Sequence, residues 1–413
     1  MAAARADDAL GADLFLLLGA RGGNMIFSPA SIGAALRMAL LGARGETAAQ
    51  LAGALHLAGP ESAVDGLRLL SAGLARLSSG DVTCHAPNTM WVQAGLPLVP
   101  EFTAALAGIA AAAAVAGTAT AVLRHADFVN AAEDARLEIN AVIAEQTAGK
   151  IAGLLPPHAV DKFTRLVLAN AVYLKAAWAQ PFPAAATADA PFYPGLASAG
   201  PGSAGPGSAG PGGAGPGGTG PGGTGPGGPV DVPMMHRTAR LGYRRGAGYQ
   251  AVTLPYAGGL LAMAVVVPDG PLGPLEETLA AGGVGGLLTG VTPHRVSLAL
   301  PRFKAAASFS LGPSLMSLGV AAAFDRDKAD FSGITTAEPL AIGAAVHQAL
   351  IDVDENGTEA AAATAVGMVR PTAVRQEGPP IVVTVDRPFL FAIIDAATGR
   401  PLFLGRITNP LAD

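Results

Sequence analysis

One segment limits what this chain can fold into. From Pro201 the unit Pro-Gly-(Ser/Gly)-(Ala/Thr)-Gly repeats five times to Gly225 and runs out at Pro229, and no charged residue falls between Asp189 and Asp231. Glycine raises chain entropy and proline removes backbone donors, so this stretch has no means of building a packed core. Its period of five also excludes collagen, which needs glycine at every third residue. Gly200, Gly202 and Gly205 spell G-x-G-x-x-G inside it, but no strand pattern precedes them and no helix pattern follows, so they make no dinucleotide site. The packed structure has to come from the two flanks.

Those flanks are long enough. The chain has 413 residues, ample for a sizeable core. Charged residues are 14% of it, against roughly 25% in an average soluble protein, and much of the 50% apolar content is alanine. A net charge of −5 and a pI near 5.8 argue against a nucleic-acid binder, which shows a basic face or stripe. Cys84 is the single cysteine, which excludes an internal disulfide framework and a Cys-rich metal site. Met1 to Asp13 carries Arg5, Asp7, Asp8 and Asp13, and the apolar run Leu14–Leu18 is too short for the core of a signal peptide. As written, the chain reads as cytoplasmic. Ala104 to Leu123 is uncharged and has the length of a membrane span, but Leu106, Ile109, Val115, Val122 and Leu123 are its only larger aliphatics. It reads as an Ala-rich helix and connection packed on the body, with no membrane partner.

The first half patterns as helices. Ser28-Pro29 places a capping hydroxyl before a proline at the first helical position, and Ile32, Ala35, Leu36, Ala39 and Leu40 follow at helical spacing until Gly42. A second helix follows Gly45-Glu46-Thr47. Asn130 with Glu133 resembles a capping arrangement for a helix carrying Leu137, Ala141 and Ala144, closed near Gly149. The second half patterns as strands: Phe163 to Trp178, Ala251–Pro255 and Leu260–Val267 around a Gly-Gly turn, Arg295–Phe303, Val346–Val353, and Pro388–Ile394 with Pro401–Ile407 around Ala397-Thr398-Gly399. Helices first and antiparallel strands later predict an α+β fold on a large sheet.

Several chemistries are absent from the pattern. There is no G-x-S-x-G, no H-E-x-x-H and no P-loop, and the histidines at 56, 85, 125, 158, 236, 294 and 347 form no ligand pair at helical spacing. Asp352-Val353-Asp354-Glu355-Asn356-Gly357 begins like an EF-hand calcium loop, but positions nine and twelve are Ala360 and Ala363, so the bidentate carboxylate is missing. No catalytic role, metal or cofactor is expected.

The same stretch has a more specific reading. Glu355-Asn356-Gly357-Thr358-Glu359-Ala360-Ala361-Ala362-Ala363-Thr364-Ala365 closely resembles the reactive-loop hinge of serpins, the serine protease inhibitor family. Asn24-Met25-Ile26-Phe27-Ser28-Pro29-Ala30-Ser31-Ile32, Asn170-Ala171-Val172-Tyr173-Leu174-Lys175 with Trp178, Val232-Pro233-Met234-Met235, Leu254-Pro255-Tyr256, and the ending Pro388-Phe389-Leu390-Phe391 … Phe403-Leu404-Gly405-Arg406-Ile407-Thr408-Asn409-Pro410 carry the resemblance over nearly the whole chain. It implies a serpin-like α+β fold, with helices packed on a large central, mostly antiparallel β-sheet and an exposed reactive-centre loop. One domain then spans 1–413, with 194–229 a flexible insertion within it and 355–380 the hinge and reactive-centre loop.

The hinge residues also make sense on their own. In a strand, alternate side chains face opposite sides, so Thr358, Ala360, Ala362 and Thr364 share one face, all small and uncharged. Glu359 falls on the other face, where a charge stays wet. No proline interrupts Glu355 to Arg370, so every N–H in that run can join a ladder. This is the pattern of a segment that waits as a loop and later becomes a central strand.

The resemblance implies the rest. A serine protease, trypsin- or subtilisin-like, attacks the loop as a substrate, and the acyl-enzyme is trapped when the freed hinge inserts into the main sheet. Ser28, Ser31, Asn170 and His347 match the family's sheet-opening cluster. Arg302 matches a basic partner of Glu355, and Trp178 matches a tryptophan beneath the insertion point. Counting from Glu355, the family's cut falls after Pro371, a poor residue for it; Arg370 is favoured and Arg375 is second, so the scissile region covers Arg370, Pro371, Thr372 and Arg375. A monomeric, metastable inhibitor is expected, and the resemblance suggests an extracellular site of action. The alternative is a non-inhibitory serpin-fold carrier or binding protein, which the small, proline-free hinge disfavours.

Overall fold

The computed structural model describes residues 2–59, 61–77, 82–114, 122–197, 228–359 and 378–412. Among them are eight α-helices: α1 (Ala2–Gly19), α2 (Pro29–Gly42), α3 (Gly45–Ala54), α4 (Glu61–Leu77), α5 (Pro100–Ala114), α6 (Phe128–Gln146), α7 (Gly273–Leu288) and α8 (Gly312–Ser317). The strands are β1 (Met25–Phe27), β2 (Val82–His85), β3 (Asn88–Gln93), β4 (Val122–Ala126), β5 (Leu166–Ala177), β6 (Ala188–Phe192), β7 (Val230–Gly246), β8 (Tyr249–Pro255), β9 (Leu261–Pro268), β10 (Thr292–Pro301), β11 (Phe303–Ser310), β12 (Ile342–Val353), β13 (Gly357–Thr358), β14 (Ile381–Thr384), β15 (Phe389–Asp395) and β16 (Pro401–Ile407).

The strands form two sheets, so the single large sheet expected from the sequence is one of a pair. The first runs β11-β12-β13-β5-β3-β4 with β2 on β5; the second runs β1-β16-β15-β9-β8-β7-β10-β14 with β6 on β7. Most neighbours are antiparallel, but β5 and β12 pair parallel from Leu166–Ile342 to Tyr173–Leu350.

β5 explains why its sequence shows no clean alternation. Leu166, Leu168, Val172 and Leu174 face the main core between the sheets. Val167, Ala169 and Ala171 face a second core with Trp91, Phe128, Ile139, Ile143 and Leu155, where α6 crosses the other side of the sheet. A strand covered on both faces reads as a continuous apolar run. The α6 crossing is fixed by Asn140, which accepts from Leu155 N–H at 2.8 Å and donates to its carbonyl at 2.9 Å.

Local expectations hold at α2, where Ser28 Oγ accepts from Ser31 N–H with Pro29 at the first turn. They fail at α6. Asp127, not Asn130, is the N-cap, and its carboxylate accepts from Asn130 N–H while Gln93 Oε1 accepts from Phe128 and Val129. With those orphan donors satisfied, Glu133 is left to pair with Arg136. The stretch read as Arg295–Phe303 splits into β10 and β11, which belong to different sheets. The Ala-rich stretch becomes α5, with Phe102, Leu106 and Ile109 buried, and β4. No helix among the described residues is long and apolar enough to cross a membrane. The residues 198–227 lie outside the described ones, and their flanks are neighbours: β6 and β7 pair from Ala188–Met234 to Phe192–Val230.

Candidate functional site

The hinge segment begins at the upper end of the first sheet. Gly357 and Thr358 are not in a free loop. They form β13, a two-residue strand already seated between β12 and β5, antiparallel to both, with Thr358 opposite Val353 and Ala176. Below it the two long strands pair with each other directly. β13 is therefore a wedge in the mouth of a closed seam. Ala360, Ala361, Ala362, Ala363 and Thr364, and the scissile candidates Arg370, Pro371, Thr372 and Arg375, lie outside the described residues.

The turn into the wedge is built from the acidic run that resembles a calcium loop. Asp354 Oδ1 accepts from the N–H groups of Asn356 and Gly357 at 2.7 and 3.1 Å, an Asx-type turn. Gly357 is required by contact: a Cβ there would lie 2.1 Å from the Ala176 carbonyl oxygen. Glu355 is 5% exposed. Arg302 donates to its carboxylate through Nε and Nη2 at 2.9 and 2.6 Å, and Thr187 Oγ donates to the same oxygen. Burial works to raise the Glu355 carboxyl, but the hydrogen bonds from Arg302 and Thr187 outweigh it and hold the group below the usual carboxylate range. Arg302 and Glu355, expected as partners from the sequence, are hydrogen-bonded to each other.

Trp178 lies under the wedge. Its indole N–H donates to the Asp354 carbonyl at 2.9 Å, its backbone N–H donates to Asn356, and its ring stacks on Tyr256 at 4.5 Å. Tyr256 in turn shares a 2.6 Å hydrogen bond with the Thr358 hydroxyl, which is fully buried. Tyr256 and Thr187 were not singled out as hinge partners from the sequence. Tyr256 had a signal, since it follows Leu254-Pro255 in a matching block; Thr187 had none.

Lower on the seam sit Ser28, Asn170 and His347, with Ser31 beside them. Ser28 N–H donates to His347 Nε2 at 2.9 Å, and His347 Nδ1 faces Asn170 Oδ1. Nε2 accepts, so Nδ1 carries the proton and the ring is neutral. Full burial pushes the His347 imidazole down to about 3. Ser31 joins this triad through Ser28, whose Oγ accepts from its N–H at 3.1 Å, while its own Oγ donates to Asn88 Oδ1 at 2.8 Å, and Asn88 pairs across the strand with Asn170. The cluster therefore has a fifth member, Asn88, that the sequence reading did not name. Asn170 Nδ2 is buried and has no hydrogen-bond partner among the described residues.

This geometry has counterparts among known proteins. The family model described as Serpin (serine protease inhibitor) matches residues 5–199 and 224–410. The chain is 36% identical over 400 residues to an uncharacterized serpin-like protein of Thermococcus kodakarensis, covering 96% of this chain and 83% of that one. It is 34% identical over 419 residues to the leukocyte elastase inhibitor of Bos taurus, covering 96% and 97%. Among solved structures it is similar to Serpin48 of the insect Tenebrio molitor, described as a highly specific serpin, with a TM-score of 0.77, 28% identity and 98% of each chain covered.

Proposed function

The chain belongs to the serpin family, a family of protease inhibitors and not of enzymes, and from that premise we propose that it inhibits a serine protease as a suicide substrate, trapping the acyl-enzyme by inserting its loop into the first sheet. The observation that carries this reading is the seating of Gly357 and Thr358 between β5 and β12.

The register set by those two residues can be continued by counting. Each further residue moves one place down both neighbours. Ala360 then faces Leu174 and Ile351, Ala362 faces Val172 and Ala349, and Thr364 faces Asn170 and His347. These neighbours lie on the core side of their strands, so small uncharged residues are what that face accepts. Thr364 brings a hydroxyl to the level where Asn170 Nδ2 lacks a partner. Every residue that enters adds ladder bonds on two sides in place of one parallel pairing, each worth about 0.5–1.5 kcal/mol net.

The same count bears on the scissile bond. The direct pairing of β5 and β12 ends at Leu166 and Ile342, which by the same count would face positions 368 and 369 after insertion. Arg370 and Pro371 would then be the first residues past that edge. Cleavage at Arg375 leaves five more residues, roughly 17 Å of slack at strand spacing, and a looser grip on the protease. Arg370 is the preferred residue, with a trypsin-like or subtilisin-like enzyme as the target class.

The test is incubation of the intact protein with trypsin and with subtilisin. A covalent complex that survives denaturing electrophoresis, and a clipped form that melts well above the intact one, are the expected results. Clean cleavage with no complex and no gain in melting temperature sinks the proposal and leaves a serpin-fold binding or carrier protein. N-terminal sequencing of the released fragment separates Arg370 from Arg375.

A further inference from the structure

The last described hinge residue holds a conformation it would not adopt unaided. Glu359 has φ +46°, the left-handed region that a residue with a Cβ rarely occupies. Its N–H donates to the Asp352 carbonyl at 2.6 Å, so its backbone is still bonded to β12. Its side chain points to the α6 side, opposite to Thr358, as strand alternation requires.

What meets Glu359 there is Lys150, 209 residues away in sequence, whose ammonium forms an ion pair with the carboxylate. Lys150 is a held residue and not a loose surface lysine. It follows the end of α6, where Ala148 and Gly149 are both left-handed. Its N–H bonds to the Thr147 carbonyl, and the next residue, Ile151, is buried and bonds to the Thr147 hydroxyl. The ammonium also lies 5.8 Å from the ring centre of Tyr173 on β5. Burial, and after it the neighbouring Glu359 carboxylate, push the Tyr173 phenol up.

We propose that Lys150 is a positioning residue for loop insertion: it clamps Glu359 at the mouth of the seam, so that Gly357 and Thr358 stay inside the sheet. Without the clamp the left-handed turn at Glu359 is no longer compensated, and the wedge is free to withdraw. Insertion then starts from outside the sheet and competes less well with hydrolysis of the acyl-enzyme. This rests on the inhibitory reading above.

The test uses the intact protein with trypsin as the probe. For a half-exposed ion pair the effect is modest: Lys150→Gln should raise the moles of protein consumed per mole of trypsin trapped by about two- to fivefold. Salt near 1 M, where the Debye length is about 3 Å, should shift the unaltered protein in the same direction and leave the variant unchanged. Lys150→Glu combined with Glu359→Lys should recover the original ratio, a rescue that a merely structural role for Lys150 does not give. An unchanged ratio in Lys150→Gln, or a double exchange no better than Lys150→Glu alone, overturns the clamp.

A second readout needs no protease. The chain has two tryptophans; Trp91 is buried beneath α6, and Trp178 sits under β13. Withdrawal of the wedge should therefore move the Trp178 emission in Lys150→Gln and not in the double exchange. If the unaltered protein traps no trypsin, the inhibitory reading fails, and the Trp178 emission alone decides the clamp: no shift on Lys150→Gln rejects it.

Discussion

The two ends of the same seam are built differently. At the mouth, a third strand is already in place, and its polar groups have close partners: Glu355 with Arg302, Thr358 with Tyr256, Trp178 with Asp354. Midway down, β5 and β12 touch each other directly, and the contact is a neutral imidazole between a backbone N–H and an amide, with Asn170 Nδ2 unpaired among the described residues. At the mouth the neutral groups are matched, with Glu359 Oε2 the unpaired exception among the described residues, while the middle leaves an amide donor over. A buried polar group without a partner costs more than a satisfied one gains, so the middle is where a newcomer carrying a hydroxyl is worth most. The contrast suggests that the mouth sets where insertion begins and the middle sets how readily it proceeds.

The comparison breaks most visibly at Thr358. This side chain is fully buried on the core face, between Ala176 and Val353. Thr358→Arg places a charge in a fully buried site beside Tyr256, Ala176 and Val353, at a cost of several kcal/mol, and should expel the wedge. The expected outcome is complete conversion from inhibitor to substrate: trypsin cuts the loop, no covalent complex forms, and the clipped protein gains nothing in melting temperature. Unaltered trapping by this variant would remove the mouth as the starting point.

The middle is tested by acid. The His347 imidazole titrates near 3 in the folded protein against an ordinary 6.5, so between those values the unfolded chain binds the extra proton and the folded one does not. Stability contributed by the neutral ring is therefore complete above about pH 6.5 and falls as pH drops toward 3. At pH 5 the loss is about 2 kcal/mol, because a protonated Nε2 would face the Ser28 N–H that it now accepts. Urea midpoints of the uncleaved protein at pH 8 and pH 5 measure this. His347→Gln should flatten the difference by that amount; an equal slope in both proteins contradicts the assignment.

Tyr256→Phe sharpens the comparison by leaving the mouth unfinished. It removes one hydroxyl and strands the other, that of Thr358, in a fully buried site. A loss of about 1–2 kcal/mol is expected, seen as a lower urea midpoint and a shifted Trp178 emission, with little change in the acid slope that belongs to His347.

How much of this was legible in the chain follows from what kind of contact each residue makes. The Ser28 cap is local, three residues from its donor, and the pattern displayed it. The alternation that puts Thr358 and Glu359 on opposite faces is also local, but the Glu359 charge is not left wet: it is mostly covered and paired with Lys150. What the pattern did not contain is distance. Thr187, Asn88 and Lys150 reach their partners only after the sheet has formed, and nothing in their neighbourhoods marks them. Nor did it say how far the hinge has already entered, since the same small residues suit a waiting loop and a seated strand. α1 and α4 escaped notice for another reason. Their buried faces are largely Ala and Leu mixed with polar residues, and Asp7 on α1 is buried against Arg37 and Arg400 at 2.7 and 3.1 Å. A charge inside the apolar stripe blurs the period that a helix is read by.

The smallest expected effect lies at Arg302, where it separates two ways of finishing the mouth. Its guanidinium is 48% exposed while its partner Glu355 is nearly enclosed, so solvent screens one side of the pair and the interaction is worth about 1 kcal/mol rather than the larger figure of a fully buried one. Glu355 is held below its ordinary range by these bonds, so the contribution is present above about pH 4.5 and lost as pH falls through the folded value. Arg302→Ala should then lower the urea midpoint at pH 7 by the equivalent of about 1 kcal/mol, with the gap to the unaltered protein closing as pH falls below the ordinary value of 4.5 and through the lowered folded one. Thr187 still donates to the same oxygen in that variant, so the wedge should stay seated and trapping of trypsin should persist. If Arg302→Ala instead abolishes trapping as Thr358→Arg does, the ion pair and not the buried threonine holds the hinge, and the order of importance assigned to the two sides of the mouth is reversed.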